Sequence, residues 1–156
     1  MPVPNFVKQL REKIGHDLLL LPGVSAIVTN DAGHVLLQRR SDFGTWAVIG
    51  GMIEPGEEPA NAIVREVFEE TAVRVEPIRI TGVYTSPLIT YPNGDRAQYV
   101  ITVFHCRALG GEPRVNDDES LEVKYFSPHE LPELRADHKL RIQQAMTTNH
   151  EAYFQR

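Results

Sequence analysis

The sequence contains little that would anchor the chain in a membrane or hold it together covalently. Cys106 is its only cysteine, which excludes an intrachain disulfide and fits a reducing compartment. The apolar run 18–21 is far too short to cross a bilayer. The first residues do not have the layout of a signal peptide, because Lys8, Arg11 and further charged residues interrupt the apolar ones. We therefore expect a soluble cytoplasmic protein without a membrane partner.

The sequence also lacks the basic segments that bind nucleic acids. The net charge is −5 and no stretch is rich in lysine and arginine, so a nucleic acid polymer is a poor partner on electrostatic grounds. A small phosphorylated substrate remains compatible, since a cation can bridge acidic side chains and phosphates. The six histidines show no metal-ligand spacing, which argues against a zinc site. The length of 156 residues predicts a single domain over 1–156, in which 1–22 form an appended N-terminal helix and lead-in.

Hydrophobic periodicity predicts strands that alternate with helices. Helices are predicted over 4–15, about 59–71 and about 137–147. Strands are predicted over 23–29, 34–40, 46–49, 74–84, 97–108 and 121–126. The first two strands should form a hairpin through the turn 30–33, and the residues after 148 should fray. This order predicts an α/β layered domain but does not determine its topology. The first helix either covers the sheet or packs against a second copy of the chain.

An acidic cluster dominates the second predicted helix. Glu66, Glu69 and Glu70 are related by steps of three and four residues, so they share one helix face, which we expect to lie apart from the apolar stripe. That stripe consists of Ala60, Ile63, Val64, Val67 and Thr71. Such a cluster can be a solvated acidic surface. It can also hold a hard divalent cation such as Mg²⁺, which prefers carboxylate oxygens.

The pattern around this cluster resembles the Nudix box, the signature of the Nudix hydrolase family. Residues 51–73 read GMIEPGEEPANAIVREVFEETAV, and they match the box at Gly51, Glu57, Arg65, Glu66, Val67, Glu69, Glu70 and Val73. Two positions depart from the family pattern. Ala72 stands where the family usually has glycine, and Ile49 stands where a proline usually precedes the double glycine. We expect Ala72 either to cost stability, on the order of 1 kcal/mol in a left-handed helix cap, or to change the exit of the helix slightly, without loss of activity.

The resemblance implies a fold, an activity and a set of metal ligands. The fold would be the Nudix fold, a mixed β-sheet sandwiched between α-helices. The activity would be Mg²⁺-dependent cleavage of the pyrophosphate linkage in a nucleoside diphosphate joined to another group, with Mn²⁺ as a substitute ion. By resemblance Glu66 and Glu70 are the principal metal ligands, Glu69 is a further ligand, and the backbone carbonyl of Gly50 is an additional one.

The resemblance also suggests supporting and proton-transfer roles. Arg65 and Glu57 look like an ion pair that orients the carboxylates, although Arg65 could instead clamp a phosphate. The general base would be either a box glutamate or Glu119, which lies just before the last predicted strand. Glu119 could equally be a solvated member of an acidic loop, and Asp117 and Asp118 are weaker candidates of the same kind.

Three residues are candidates for substrate binding, each with a plain structural alternative. Trp46 could edge the pocket or simply pack, and Tyr91, like Tyr84, could stack a base or belong to the core. Arg39, like its neighbour Arg40, could reach a phosphate or lie on a solvated face.

The substrate and the class of activity stay open at this level. Pro87 lies near where relatives that cleave ADP-ribose carry a proline, and Tyr91 near where relatives that cleave dinucleoside polyphosphates carry a tyrosine. The short chain also suits a nucleoside triphosphate pyrophosphohydrolase of the MutT kind. The alternative is a non-catalytic module that senses nucleotides, which the intact box carboxylates disfavour. An isomerase on the same fold would need a cysteine near the box, and Cys106 is distant from it. A second copy of the chain, forming a homodimer, is a candidate partner.

Overall fold

A mixed sheet between helices forms the core of the computed structural model, which describes residues 3–148 and 150–155. The helices are α1 (Asn5–Ile14), α2 (Pro59–Thr71) and α3 (Ala136–Met146). The strands are β1 (Leu19–Thr29), β2 (Val35–Arg40), β3 (Trp46–Ala47), β4 (Ile49–Met52), β5 (Arg74–Thr85), β6 (Ile89–Thr90), β7 (Arg96–Gly110), β8 (Ser120–Phe126) and β9 (Tyr153–Phe154). None of these helices is long and apolar enough to cross a membrane.

The two longer helices lie on opposite faces of the sheet. Residues of β1 alternate between the faces, as successive strand residues do. Ala26 and Val28 pack with the buried residues of α2, whereas Ile27 packs with Ile142 and Ala145 of α3. The predicted α/β class, with a mixed sheet between helices, is confirmed.

Strand β1 is the central element of the sheet. It pairs in parallel with β7 from Leu19↔Ala97 to Thr29↔Arg107, and its other edge pairs antiparallel with β4. The predicted hairpin of β1 and β2 therefore exists only at its turn, where Thr29 pairs with Val35. Beyond the turn β2 pairs with β3 and β8. The hairpin prediction was wrong for most of its length because a strand edge can hold one partner, and β4 takes that edge of β1.

The bounds of helix α1 agree with the prediction to within one residue at each end, and the helix covers one end of the sheet. It follows Pro4 and ends at Gly15, whose positive φ of 59° is one that glycine adopts without strain. Val7 is buried against Leu21 of β1 and Ala97 of β7. Of the two alternatives for this helix, packing on the sheet is the one that the structure shows.

Helix α2 has the predicted bounds but buries a different face. Ile63 and Val67 are fully buried as expected, whereas Ala60 is exposed. Glu66 and Glu70 are buried as well, at 0% and 1% exposure, so the carboxylates do not lie apart from the apolar stripe as predicted. Positions 63, 66, 67 and 70 follow steps of three and four, and the helix turns this whole stripe toward the sheet.

Two segments, one near the C-terminus and one between β5 and β7, are more ordered than their sequences indicate. The predicted fraying after 148 was wrong, since Tyr153 and Phe154 form β9 in parallel with Gly82 and Val83 of β5. The ring of Tyr153 also stacks on that of Tyr84, with centroids 5.4 Å apart. The loop between β5 and β7 contains β6, which pairs with the start of β7. A two-residue strand has too few residues for a periodic signal.

The end of α2 allows a test of the helix cap. Ala72 adopts φ 59° and ψ 11°, the left-handed conformation predicted for this position, and it is the only residue other than glycine with a positive φ among those described. We expect Ala72→Gly to raise the free energy of unfolding by about 0.5–1 kcal/mol in urea denaturation, because glycine reaches this conformation without a Cβ clash.

Ala60→Gly, in the exposed first turn of the same helix, is the matched control. It should lower the free energy of unfolding by about 0.5–1 kcal/mol, since it adds backbone entropy to the unfolded chain without relieving strain. A loss of stability in both variants would contradict the account of the cap.

Candidate functional site

Two consecutive glycines in β4 let a helix side chain approach a strand closely. A Cβ atom added at Gly51 would overlap the carboxylate of Glu66, and one added at Gly50 would overlap the carbonyl oxygen of Val24 on β1. Neither glycine has a positive φ. Glycine is therefore needed at these positions because other atoms approach closely, and not because the chain turns sharply. The glycines therefore create the space into which the Glu66 carboxylate fits.

Glu66 and Glu70 form a buried pair of carboxylates with unequal partners. Glu70 accepts a hydrogen bond at 2.8 Å from the side-chain amide of Gln38, which is itself held by the hydroxyl of Ser120 at 2.5 Å. One oxygen of Glu66 accepts a hydrogen bond from Arg65 at 2.9 Å. The other oxygen, Oε2, is buried and has no hydrogen-bond partner among the described residues.

Burial makes the charged form of this pair unfavourable. Loss of hydration raises the pKa of Glu66 to about 7, against the opposing effect of Arg65. Burial raises the pKa of Glu70 to about 8, with further contributions from the negative charges of Glu66 and Asp117. Buried carboxylates without compensating charge are costly, and a divalent cation supplies that charge.

The loop before β8 brings further carboxylates to Glu70. Carboxylate oxygens of Glu70, Asp117 and Glu119 all lie within 4.8 Å of one another. The loop is fixed to α2 through Asn116, whose amide donates to the carbonyl of Phe68 at 3.1 Å. Asp117 thus lies as close to the box as Glu119, although its sequence position made it the weaker candidate. Asp118 is exposed and lies outside this group.

The donor set fits a hard divalent cation such as Mg²⁺ or Mn²⁺. All side-chain donors are carboxylate oxygens, two of the carboxylates are almost fully buried, and one buried oxygen lacks a hydrogen-bond partner among the described residues. Mg²⁺ prefers oxygen ligands and is held by few carboxylates together with water and substrate phosphates.

Arg65 lies at the centre of an ion-pair network beside this set. Its Nε and Nη2 donate to the two oxygens of Glu57 at 2.8 Å each, a bidentate arrangement. Its Nη1 donates to Glu66 at 2.9 Å and to Glu69 at 3.2 Å. Nη2 also donates to the carbonyl of Met52 in β4. The guanidinium therefore joins the loop that carries Glu57, helix α2 and strand β4.

Glu69 occupies a different environment from its two neighbours. Its side chain is 45% exposed, and its contact is the ion pair with Arg65. Arg65 lowers the pKa of Glu57 through their hydrogen bonds, which indicates that this pair is charged at neutral pH. The structure places Glu57, Arg65 and Glu69 around the buried carboxylates, with only Glu66 and Glu70 between helix and sheet.

A cavity of about 820 Å³ opens onto the carboxylates. Glu66, Glu70 and Glu119 line it together with Gly50 and Gly51. Its size lies within the usual range for sites that bind small molecules.

The candidate substrate-binding residues separate by location. Tyr91 lines the cavity, whereas Arg39 and Trp46 do not belong to its described lining. Arg39 lies 3.5 Å from Glu122, and Trp46 packs edge-to-face on Phe126 with centroids 4.8 Å apart. Arg40 lines the cavity instead, because neighbouring strand residues point to opposite faces.

Several residues at or beside the cavity were missed by the sequence analysis. Gln38 is fully buried within an otherwise apolar part of β2, and that position was the available signal. Arg141 and His138 of α3 also line the cavity, and Arg141 is 5% exposed. Burial lowers the pKa of His138 to about 4, so its imidazole is neutral at neutral pH. Nothing in the local sequence of α3 distinguishes these residues from surface charges.

Comparison with known proteins places this site in a family. The sequence model of the NUDIX domain matches residues 19–146. A MutT-like protein of Streptomyces ambofaciens is 39% identical over 114 residues, which cover 73% of this chain and 68% of that protein. An ADP-ribose pyrophosphatase of Methanocaldococcus jannaschii is 33% identical over 125 residues, 79% of this chain and 71% of that protein. The crystal structure of a MutT NUDIX hydrolase from Burkholderia pseudomallei superposes with a TM-score of 0.68 at 27% identity, over 81% of this chain and 98% of that one.

The contact between Gly51 and Glu66 can be tested by a double-mutant cycle. We expect Gly51→Ala to lower the free energy of unfolding by about 1–3 kcal/mol, because the added methyl group overlaps a buried carboxylate. In a Glu66→Ala background the same substitution should cost much less. Chemical denaturation of the wild type, the two single variants and the double variant gives the coupling free energy between positions 51 and 66.

Gly23→Ala is the matched control in the neighbouring strand. A Cβ there would meet its nearest atoms at 3.5 Å, an ordinary contact, so its effect should be small and independent of Glu66. An equal cost of Gly51→Ala with and without Glu66 would show that the carboxylate does not occupy this space.

Proposed function

The chain belongs to the Nudix family, and from this premise we propose that it is a Mg²⁺-dependent hydrolase that cleaves the pyrophosphate linkage of a nucleoside diphosphate derivative. The observation that carries the proposal is the pair of buried carboxylates, Glu66 and Glu70, at the wall of a cavity large enough for a nucleotide. A relative that is 33% identical is named an ADP-ribose pyrophosphatase, which supports this class of substrate.

The residues that would hold the cation are Glu66, Glu70 and Asp117. The buried Oε2 of Glu66 and the carboxylates of Glu70 and Asp117 supply the oxygen donors, and the carbonyl of Gly50 is a further candidate. A bound divalent cation would neutralise phosphate oxygens and lower the pKa of a coordinated water. This assignment places the attacking water beside the cavity wall formed by α2.

The surrounding residues orient these carboxylates before any substrate binds. Gln38 fixes Glu70 through one hydrogen bond and is fixed in turn by Ser120. Arg65 fixes Glu66 and is itself locked by both oxygens of Glu57. In this proposal Arg65 acts as a positioning residue, because its donors are occupied by protein acceptors. Glu69 completes that network and stays a candidate ligand from its exposed side.

Glu119 is our assignment for the residue that accepts a proton from the attacking water. Its side chain lines the cavity and is partly exposed, unlike the two buried box glutamates. It can therefore contact water while lying close to the carboxylates of Glu70 and Asp117. Arg40 lies 3.9 Å from its carboxylate and lines the same cavity.

The proposal predicts that one carboxylate is indispensable. Glu70→Gln keeps the shape of the side chain but removes its charge, so we expect hydrolysis to fall by at least about a hundredfold. The variant should also lose the rise in melting temperature that MgCl₂ gives the wild type. The assay measures phosphate or nucleoside monophosphate released from nucleoside triphosphates, ADP-ribose, sugar nucleotides and dinucleoside polyphosphates.

Glu58→Gln is the matched control at the exposed start of α2. It removes one negative charge from the same helix, and it should retain both the hydrolytic rate and the response to MgCl₂. Mg²⁺ and nucleotide binding by the wild type without turnover of any substrate would instead support a nucleotide-sensing module.

A further inference from the structure

Helix α3 places a buried arginine at the wall of the cavity. Arg141 is 5% exposed and lines the same cavity as Glu66 and Glu70. Helices α2 and α3 pack on opposite faces of the sheet, so the arginine and the two carboxylates reach the cavity from different sides. We propose that Arg141 forms an anion subsite, separate from the proposed metal site, that binds a phosphate of the substrate outside the scissile linkage. This inference rests on the proposed function and adds that the preferred substrate carries a further phosphate beyond its pyrophosphate linkage.

The positive charge of Arg141 is only partly balanced within the protein. Its Nη2 donates to the carboxylate of Asp137 at 3.3 Å, one turn earlier on α3. The same carboxylate accepts hydrogen bonds from Arg135 at 3.0 and 3.2 Å, so two arginines share one negative charge. Burial lowers the pKa of Arg141, although Asp137 opposes this effect. A buried cation with an incomplete counter-charge is costly, and an anion in the cavity would supply the missing charge.

Two buried nitrogen atoms of α3 lack hydrogen-bond partners among the described residues. They are Nε of Arg141 and Nδ1 of His138. The two residues are three positions apart, so they share one face of the helix, and both line the cavity. A neutral imidazole such as that of His138 can carry its proton on Nδ1 and donate it. Buried polar atoms are rarely left without partners, so these two nitrogens indicate that an acceptor binds beside them.

The other arginines of the described cavity lining are better compensated. Arg11 donates to three backbone carbonyls. Arg40 forms a bidentate pair with Asp42, through hydrogen bonds of 2.9 and 2.7 Å. The side chain of Arg135 is 53% exposed, so water hydrates it. Arg141 combines burial, a shared counter-charge and an unused donor, and its charge therefore gains most from an external anion.

The subsite on α3 lies near enough to the carboxylates for one substrate to contact both. Burial dominates the pKa values of Glu70 and His138, and the positive charge of Arg40 contributes to both of them. Arg40 therefore lies near both groups, and all three residues line one cavity. Successive phosphates of one chain can then occupy the two positions. With the scissile linkage at the carboxylates, an additional phosphate would lie at Arg141.

Inorganic phosphate tests the subsite without catalysis. Isothermal titration calorimetry is done with EDTA, which removes divalent cations, so that the carboxylates of α2 repel the anion. The wild type should bind phosphate, and Arg141→Gln should weaken this binding about tenfold, the order expected for one hydrogen bond between charged groups. Arg141→Lys keeps the charge and should retain part of the affinity. Absence of phosphate binding by the wild type, or equal affinity in Arg141→Gln, would overturn the inference.

Asp137→Asn distinguishes a binding role of Arg141 from a purely structural one, and it also covers the case in which Arg141→Gln does not fold. The substitution removes the counter-charge that competes with phosphate, so phosphate should bind several-fold more tightly than to the wild type. If Arg141 only held α3 in place through this ion pair, Asp137→Asn would lower the melting temperature without raising the affinity for phosphate. That result would overturn the inference.

Arg107→Gln is the matched control for the loss of one positive charge. Arg107 pairs with Glu76 on exposed strand residues outside the described cavity lining. Its substitution should leave the affinity for phosphate unchanged. A loss equal to that of Arg141→Gln would show that phosphate responds to net charge alone, and would overturn the inference.

Hydrolysis extends the test to the substrate. A nucleoside triphosphate and the nucleoside diphosphate sugar of the same base differ in whether a further phosphate is present. Arg141→Gln should lower kcat/KM for the triphosphate about tenfold relative to that for the diphosphate sugar. Equal losses on both substrates, or a wild type that hydrolyses only the diphosphate sugar, would overturn the inference. Phosphate binding that depends on Arg141 without hydrolysis of any nucleotide would refute the proposed function alone, and hydrolysis with phosphate binding independent of Arg141 would refute this inference alone.

Discussion

The structure depends on the burial of two negative charges between a helix and a sheet. Glu66 and Glu70 take positions on α2 that an ordinary amphipathic helix would fill with apolar residues. Their raised pKa values express the cost of that placement. The folded core gains nothing from this cost, which supports our proposal that the pair belongs to a site where a ligand supplies the missing charge.

Much of the surrounding architecture compensates for this burial. The double glycine of β4 gives the Glu66 carboxylate room, Gln38 and Ser120 hold Glu70, and Arg65 supplies one nearby positive charge. These residues come from four different segments of the chain. The carboxylates are consequently oriented by the fold itself, and in the proposed function this orientation would reduce the reorganisation that catalysis requires.

The sequence predicted what local chemistry determines. The bounds of α1 and α2, the left-handed conformation of Ala72 and the family were all correct, because caps, periodicity and box spacing are local signals. Contacts between segments that are distant in the chain were harder to predict from the sequence. The separation of β1 from β2, the pairing of β9 and the closeness of Asp117 to Glu70 depend on which strand occupies which edge. The choice of Arg40 over Arg39 as a cavity residue likewise follows from the register of β2, which single residues do not reveal.

The parallel pairing of β1 with β7 also affects how the chain reaches its native state. Leu19 meets Ala97, so the central contact of the sheet joins segments separated by half the length of the chain. Closing such a loop is entropically costly, and folds rich in distant contacts assemble slowly. Helix α2 precedes β7 in the chain, so it is synthesised before the sheet that covers it can form. Because Glu66 and Glu70 interrupt its apolar face, the helix exposes fewer apolar side chains until then, which disfavours aggregation.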